Sequence, residues 1–143
     1  MPRFVLLLHD CPDGRPRATH CDLMLEVGAA LETWALELVP RAWDKLDIDP
    51  RMLSTSNTVD AERLADHRLA YLEYEGPVSG DRGHVRRLDE GSYRPSPSPM
   101  LFSLEGRSIR GEIEIVPPHD AHGSYRLAFR GTSAEAASVC PSM

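Results

Sequence analysis

The sequence has few cysteines, and their number is odd. The three residues are Cys11, Cys21 and Cys140, which argues against the disulfide framework that stabilises many small secreted domains. Cys11 and Cys21 lie near histidines and could serve as zinc ligands. The chain lacks, however, the paired C-x2-C spacing of a structural zinc site, so cysteine content gives little support to a zinc-stabilised fold.

Long apolar runs are also missing. No stretch approaches the roughly 18 apolar residues that a membrane-spanning helix needs, and the N-terminal run FVLLL passes directly into the polar HDCPDG. The sequence shows no secretory leader, which would combine a basic start, a longer apolar centre and a small-residue cleavage site. We therefore expect a cytoplasmic protein without a membrane partner.

The chain also lacks an excess of positive charge. Its formal net charge is −6, which argues against nonspecific adhesion to nucleic acid over the whole surface. A local basic groove can still bind phosphate, and several arginines do cluster in the glycine-rich segment 76–91. Flanking arginines, among them Arg82, suit an oxyanion. The alternative for this segment is a solvated hairpin loop.

The size and composition of the chain are typical of one globular domain. Of its 143 residues, 41% are hydrophobic and 27% are charged, which is enough for a substantial core. We expect a single domain over residues 1–130. The small and polar segment 131–143 is predicted to be a flexible tail.

Short alternating segments predict a mostly β fold, specifically a closed or strongly curved antiparallel β-barrel with one or two short helices. A helix is expected over 58–64, capped by Asn57 or Thr58, and a helical turn at His67 and Tyr71. The hairpin turn between the second and third strands falls at Gly28 and Ala29. Strands are predicted over 3–8, 20–27 and 31–39, in two runs within 100–116, and over 124–131.

The strand over 20–27 carries an unusual row of polar side chains. The period of two places His20, Asp22, Met24 and Glu26 on one face, with apolar residues between them on the other. A buried polar row without partners would be costly, so this face should meet water, a metal ion or a ligand. In a closed barrel, inward residues line a pocket at the mouth, which would accommodate the row.

Two histidines and a carboxylate from this region form a candidate metal site. His9 ends the first strand, and His20 and Asp22 share a face of the next. Imidazole nitrogen and carboxylate oxygen suit divalent manganese or zinc and leave coordination positions open. The His-x-Asp pattern alone is a weak signal, and the alternative is a set of surface or hydrogen-bonded core residues.

His67 and Tyr71 offer a second pair of polar groups. A histidine near neutrality can bind a phosphate oxygen or protonate a leaving group, and a phenolic hydroxyl can donate to the same oxyanion. Taken singly, each has a structural alternative, since a tyrosine at this position can simply pack on the core.

Several sequence blocks occur together in a fixed order, namely FVLLLH, HCDLMLE, LETWAL, DHRLAYLEYEG and FSLEGRSIRGEIEIV. In this order they resemble the 3'-phosphoesterase module of bacterial DNA ligase D, over most of residues 3–116. The resemblance implies a β-barrel with flanking short helices and a manganese ion. It also implies an activity that removes a terminal ribonucleotide, and then the remaining phosphate, from DNA 3' ends.

Carried over position by position, the resemblance implies that His9, His20 and Asp22 are the metal ligands and that His67 and Tyr71 contact the phosphate. The sequence departs from the family pattern at three places. Met24 replaces a phosphate-binding arginine, Leu7 replaces a polar residue, and the gap between the first two histidines is longer. Methionine cannot neutralise an oxyanion, so another arginine would have to do so: Arg82 is favoured over Arg15 and Arg17.

The leading hypothesis is therefore a metal-dependent phosphoesterase acting on 3'-phosphate or 3'-terminal ribonucleotide ends of nucleic acid. One alternative is a non-catalytic module that binds phosphate or nucleic-acid ends. Another is a phosphoesterase acting on a small phosphorylated metabolite, which the acidic net charge favours over a long duplex. Because the chain carries no ligase or polymerase domain, a repair role would require separate ligase or repair proteins.

Overall fold

The computed structural model describes residues 1–11, 18–78, 83–98, 100–119 and 123–131. These residues form nine β-strands and three short 3-10 turns, with no α-helix in the described ranges. The strands are β1 (Arg3–Asp10), β2 (His20–Val27), β3 (Ala30–Leu36), β4 (Thr58–Arg68), β5 (Gly76–Pro77), β6 (His84–Pro95), β7 (Leu101–Gly106), β8 (Arg110–Val116) and β9 (Tyr125–Gly131). The 3-10 turns are η1 (Arg41–Trp43), η2 (Pro50–Met52) and η3 (Leu69–Leu72).

Eight of the strands close into an antiparallel barrel, as the sequence predicts. The order around the barrel is β1-β2-β3-β4-β9-β8-β7-β6, and β6 pairs back with β1. The two-residue β5 is an additional partner of β6. Closure leaves no long free edge along these eight strands, which removes the usual template for edge-to-edge association.

Apolar side chains fill the interior of the barrel. Each strand except β5 contributes inward residues, and others come from the connection that contains η1 and from the turn between β7 and β8. These include Phe4, Leu6, Leu23, Leu25, Trp34, Leu36, Trp43, Leu46, Val59, Leu104, Ile113, Ile115, Leu127 and Phe129, all buried. The interior is therefore a packed core rather than a ligand pocket.

The polar row of β2 lies on the outer wall of the barrel. The prediction that this row lines a pocket at the barrel mouth is therefore wrong. Cys21, Leu23 and Leu25 point into the core, and the residues between them point outward. Even so, His20 and Asp22 are buried. The physical reason is a second apolar cluster that covers this part of the outer wall, made of Val5, Leu7, Met24, Leu31, Leu72 and Val85 with Tyr71 and Val78 packed against it.

The predicted helix over 58–64 is wrong, because these residues belong to β4. The first half of β4 pairs with β9 and the second half pairs with β3, so tertiary pairing overrides the local capping signal. His67 accordingly lies near the end of a strand. The predicted helical turn holding both His67 and Tyr71 is therefore wrong for His67, and Tyr71 lies in the 3-10 turn η3.

The glycine-rich segment 76–91 is only partly a loop, since its second half forms the start of β6. One of its glycines has a packing role: a Cβ on Gly91 would lie 2.0 Å from the carbonyl oxygen of Glu105 on β7. Gly91 thus allows β6 to pair with both β1 and β7 at the same point. This close approach of the two backbones requires glycine at position 91, because every other residue has a Cβ.

The remaining strand predictions agree with the structure to within a few residues at their ends. The hairpin turn at Gly28 and Ala29 is present, and Gly28 has a φ of 60°, which glycine adopts easily. Of the predicted tail, residue 131 ends β9 and residues 132–143 lie outside the described residues. Within the described ranges, no helix has the length and apolar character needed to cross a membrane.

Candidate metal centre

The pairing of β1 with β2 brings the two predicted histidine ligands together. His9 lies directly opposite His20 in the antiparallel register, and their ring centroids are 5.0 Å apart. Asp22 follows two residues later on the same outward face of β2. Period-two alternation and antiparallel register are therefore sufficient to gather these three side chains.

The carboxylate of Asp22 lies between the two imidazoles. Its Oδ1 is 3.0 Å from His20 Nε2, and its Oδ2 is 3.6 Å from His9 Nδ1. Burial raises the pKa of the Asp22 carboxyl, but the close approach and the charges of His20 and His9 outweigh burial and hold that pKa below its usual range. Asp22 is therefore ionised near neutral pH, as a metal-binding carboxylate must be.

The proton on His20 can be assigned from its backbone contact. His20 Nδ1 is 2.7 Å from the carbonyl oxygen of Ala18, and a carbonyl oxygen can only accept, so Nδ1 is the donor. In the neutral imidazole, Nε2 then carries a lone pair that faces Asp22 Oδ1. Two electron-rich atoms 3.0 Å apart are stable only with a cation between them, either a proton or a metal ion.

Neither of these atoms has a hydrogen-bond partner. The 3.0 Å approach satisfies the distance of an ion pair but not the geometry of a hydrogen bond, and both His20 Nε2 and Asp22 Oδ1 are buried. Buried polar atoms without partners are rare, because desolvation is then uncompensated. A divalent cation would satisfy both atoms, so the residues present fit a metal ion.

Cys11 belongs to the same group of side chains. Its thiol and the imidazoles of His9 and His20 offer ligand atoms that all lie within 4.8 Å of one another. This His-Cys-His cluster can hold a metal ion. The absence of paired cysteines gives little indication of a role for Cys11; the informative sequence signal is a thiol two residues after the strand-end His9.

Cys21 has a different environment from Cys11. It points into the barrel core and is fully buried. Burial, with a smaller contribution from Asp22, raises the pKa of the Cys21 thiol to about 12. Since a metal ligand must be a thiolate, Cys21 has no place in the cluster.

His67 and Tyr71 form a separate pair on the same side of the barrel. Their rings meet edge to face with centroids 5.5 Å apart, and His67 Nδ1 lies 2.9 Å from the carbonyl oxygen of Ala65. By the argument used for His20, this contact leaves the lone pair of neutral His67 on Nε2.

The register separates this pair from the metal cluster along the strands. His67 is opposite Leu31, which is opposite Glu26, and Glu26 is four residues from Asp22. That separation corresponds to about 13 Å of extended chain. The structure therefore brings His9, His20 and Asp22 together, and places His67 and Tyr71 further along the same wall.

Met24 lies between the two groups and is 1% exposed within the second apolar cluster. Position 24, where the resembling module has an arginine, is thus apolar and covered. Arg82, Arg15 and Arg17, which were considered as replacements, lie outside the described residues.

Arg87 is a described arginine on the same cross-strand row as Asp22, with Leu7 between them. Sequence interpretation did not select it. Its side chain is engaged by carboxylates, at 3.6 Å from both Glu75 and Glu90. Glu75 also accepts the backbone N–H of Arg87 at 2.8 Å, so Arg87 is neutralised where it lies.

Neither a protein-family model nor a curated protein matches this chain. The functional interpretation therefore rests on the side chains of the cluster and on the order of the sequence blocks. Of these, the cluster is the more specific, because it combines proximity, burial and unsatisfied polar atoms.

Proposed function

We propose that this protein is a metal-dependent phosphoesterase acting on 3'-phosphate or 3'-terminal ribonucleotide ends of nucleic acid. The observation that carries the proposal is the pair of buried, unpartnered atoms His20 Nε2 and Asp22 Oδ1 beside His9. The substrate class comes from the order of sequence blocks that resembles the 3'-phosphoesterase module of ligase D. In this proposal a repair role in the cytoplasm depends on separate ligase or repair proteins.

In the proposed site, His9, His20 and Asp22 hold the metal ion, with manganese expected from the resemblance and zinc as the alternative. A bound divalent cation would supply Lewis acidity, offsetting negative charge on a phosphate oxygen. The contact with Ala18 fixes the His20 ring so that Nε2 faces the metal position. Asp22 contributes the negative charge that a divalent ion requires.

His67 and Tyr71 have the proposed role of binding the phosphate and serving the leaving oxygen. The Ala65 carbonyl orients His67, which leaves Nε2 available to bind a phosphate oxygen in the protonated state. In that state the same nitrogen can donate its proton to the departing oxygen. The substrate would have to span the strand length between this pair and the metal cluster, and Arg82 is proposed to add positive charge to the phosphate site.

The burial of Met24 among apolar side chains favours a second candidate function. No cation occupies the position that holds phosphate in the resembling enzymes, so transition-state charge would be less well stabilised. A non-catalytic module that binds phosphate or nucleic-acid ends requires less stabilisation than an enzyme. The missing positive charge is also compatible with a phosphoesterase for a small phosphorylated metabolite, because binding a small molecule needs no extended basic surface.

The proposal is tested by hydrolysis of a 3'-phosphate-ended primer. Metal-free protein should be inactive, and added manganese or zinc should produce a 3'-hydroxyl end. Asp22→Asn keeps the shape of the side chain but removes its charge, and should lower the rate at least about 100-fold. Asp49→Asn is the matched control, because Asp49 is exposed and its hydrogen bonds are to Arg51.

Three results distinguish the candidates. Metal-dependent phosphate release that Asp22→Asn abolishes and Asp49→Asn retains supports the phosphoesterase. Binding of the primer end without turnover supports the non-catalytic module. Turnover of small phosphate monoesters, with none of the primer, supports the metabolite enzyme and contradicts action on nucleic-acid ends.

A further inference from the structure

We propose that Cys11 is a fourth metal ligand and that its thiolate shifts the site towards zinc and away from manganese. This inference rests on the metal site of the proposed function but not on the reaction carried out there. It concerns a residue that the resemblance to the ligase D module does not include among the ligands.

The backbone around Cys11 is held next to His20 by a threonine. The Thr19 hydroxyl accepts a hydrogen bond from the Cys11 N–H at 3.0 Å and lies 3.3 Å from Asp10 Oδ1. Thr19 directly precedes His20, so this bond joins the end of β1 to the start of β2. The position of Cys11 is therefore set by the same two strands that position His9 and His20.

The separations within the cluster are close to those of a bound ion. Two ligands of one zinc ion can be no further apart than the sum of their bond lengths, about 4.4 Å for nitrogen and sulfur. The ligand atoms of His9, Cys11 and His20 all lie within 4.8 Å of one another. In tetrahedral zinc the nitrogen and sulfur ligands lie roughly 3.5 Å apart, so a contraction of at most about 1.3 Å brings the three ligand atoms to the spacing of a shared ion.

Asp22 lies beside these three side chains and offers a fourth donor, although the group whose ligand atoms all lie within 4.8 Å of one another consists of His9, Cys11 and His20. Its two oxygens lie 3.0 Å from His20 Nε2 and 3.6 Å from His9 Nδ1, and the nearer oxygen has no hydrogen-bond partner. Two nitrogens, one sulfur and one oxygen match the number of ligands in tetrahedral zinc. Manganese favours oxygen-rich, six-coordinate sites, and a thiolate is a poor ligand for it.

Cobalt(II) provides the most direct test, because it occupies zinc sites and a cobalt–thiolate bond gives a near-ultraviolet charge-transfer band. Metal-free wild-type protein titrated with cobalt should develop this band, and added zinc should remove it. Cys11→Ser should bind cobalt without the band. Cys140→Ser, which removes a different thiol, should retain it.

Competition between zinc and manganese measures the preference itself. Cys11→Ser should lower the zinc-to-manganese affinity ratio by about tenfold or more, since changes even to groups that only support a ligand cost 10- to 100-fold. Cys11→His should restore tight zinc binding through nitrogen while lacking the charge-transfer band. Restored zinc binding in Cys11→His would show that the lower zinc affinity of Cys11→Ser comes from the missing donor atom and not from misfolding.

The inference is overturned if wild-type protein binds cobalt without a thiolate band, or if Cys11→Ser leaves the affinity ratio unchanged. Neither result depends on hydrolysis. A thiolate band in a protein that does not cleave the primer would contradict only the proposed phosphoesterase activity. Primer cleavage with manganese and no thiolate band would contradict only the role of Cys11.

Discussion

At the scale of single residues, unsatisfied polar atoms mark the candidate site. Among the described residues, three buried side-chain atoms lack a hydrogen-bond partner, and two of them are the adjacent His20 Nε2 and Asp22 Oδ1. The third, Trp43 Nε1, belongs to the core around η1. Two orphaned atoms that face each other have a common explanation in a shared cation, which single unsatisfied groups do not have.

His67 permits a residue-scale test of whether the two polar groups act separately. His67→Ala should leave metal affinity unchanged, because the register places His67 about 13 Å along the strands from the cluster. It should lower phosphoesterase turnover by about 100-fold or more, as loss of a general acid does. Calorimetric metal titration and primer hydrolysis measure the two effects. Loss of metal binding in His67→Ala would contradict the separation of roles.

Much of the site could be predicted from the sequence, because its main geometric rule is simple. Alternation along β2 places His20 and Asp22 on one face, and the strand-end position of His9 makes it their neighbour. The position of Cys11 beside His20 depends in addition on the hydrogen bond between its N–H and the Thr19 hydroxyl, which strand alternation does not predict. The sequence does not predict the burial of Met24 either, because this burial requires Leu72, from a distant segment, to cover the outer wall.

At the scale of elements, the strands that were predicted are those with regular apolar alternation. The sequence does not predict β4, because Val59 and Ala61 are its only buried residues and most of the others are polar. The sequence does not predict β6 either, because its buried residues, Val85, Asp89 and Tyr93, recur every fourth position. A register shift in its pairing with β1 between Leu6 and Leu7 contributes to this irregular pattern.

Asp89 of β6 holds the turn between β7 and β8. Its carboxylate accepts backbone hydrogen bonds from Arg107, Ser108 and Ile109 at 2.8 to 3.1 Å. A Cβ on Gly106 would lie 2.3 Å from the same carboxylate. Glycine at 106 therefore allows the buried carboxylate to approach the turn closely.

Loss of this carboxylate should destabilise the barrel. Asp89→Ala removes the acceptor of three backbone N–H groups, so we expect the free energy of unfolding to fall by about 2 to 4 kcal/mol. Urea unfolding followed by circular dichroism provides the measurement. Asp60→Ala, at an exposed carboxylate of β4 that pairs with Arg126, should change it by less than about 1 kcal/mol. Equal effects of the two substitutions would show that the Asp89 hydrogen bonds contribute little.

At the scale of the whole molecule, the barrel wall separates two apolar regions. The packed interior supplies the main core, and the smaller cluster on the outer wall buries the polar row of β2. The metal cluster lies beside the smaller region, so its residues can change without opening the main core. Barrel closure was predictable from the number of short strands, whereas the outer cover was not, because it comes from irregular chain after β4.

Tyr93 connects three parts of the barrel and gives a prediction of pH dependence. Its hydroxyl donates to the carbonyl oxygen of Glu26 at 2.6 Å, and its N–H donates to the carbonyl oxygen of Pro2 at 3.0 Å. Burial, assisted by the charges of Glu32 and Glu26, raises the pKa of the Tyr93 phenol above 10.0. The folded protein therefore retains this proton at pH values where the unfolded chain loses it.

The stability supplied by Tyr93 should be complete below about pH 10 and should decline as the pH rises towards the folded-state pKa. Tyr93→Phe removes the hydroxyl and with it this contribution. The difference in free energy of unfolding between wild type and Tyr93→Phe should therefore shrink above about pH 10. Urea unfolding at pH 8 and at pH 11 measures it. A difference in free energy of unfolding that is constant or grows with pH would contradict a raised pKa of Tyr93 in the folded protein.

The metal centre is tested most directly by calorimetric titration of metal-free protein with zinc and manganese. We expect saturable binding of one ion per chain, retained in Asp49→Asn and weakened at least about tenfold in Asp22→Asn. Absence of saturable binding in wild-type protein, or equal affinity in Asp22→Asn, would contradict a metal centre built on His9, His20 and Asp22.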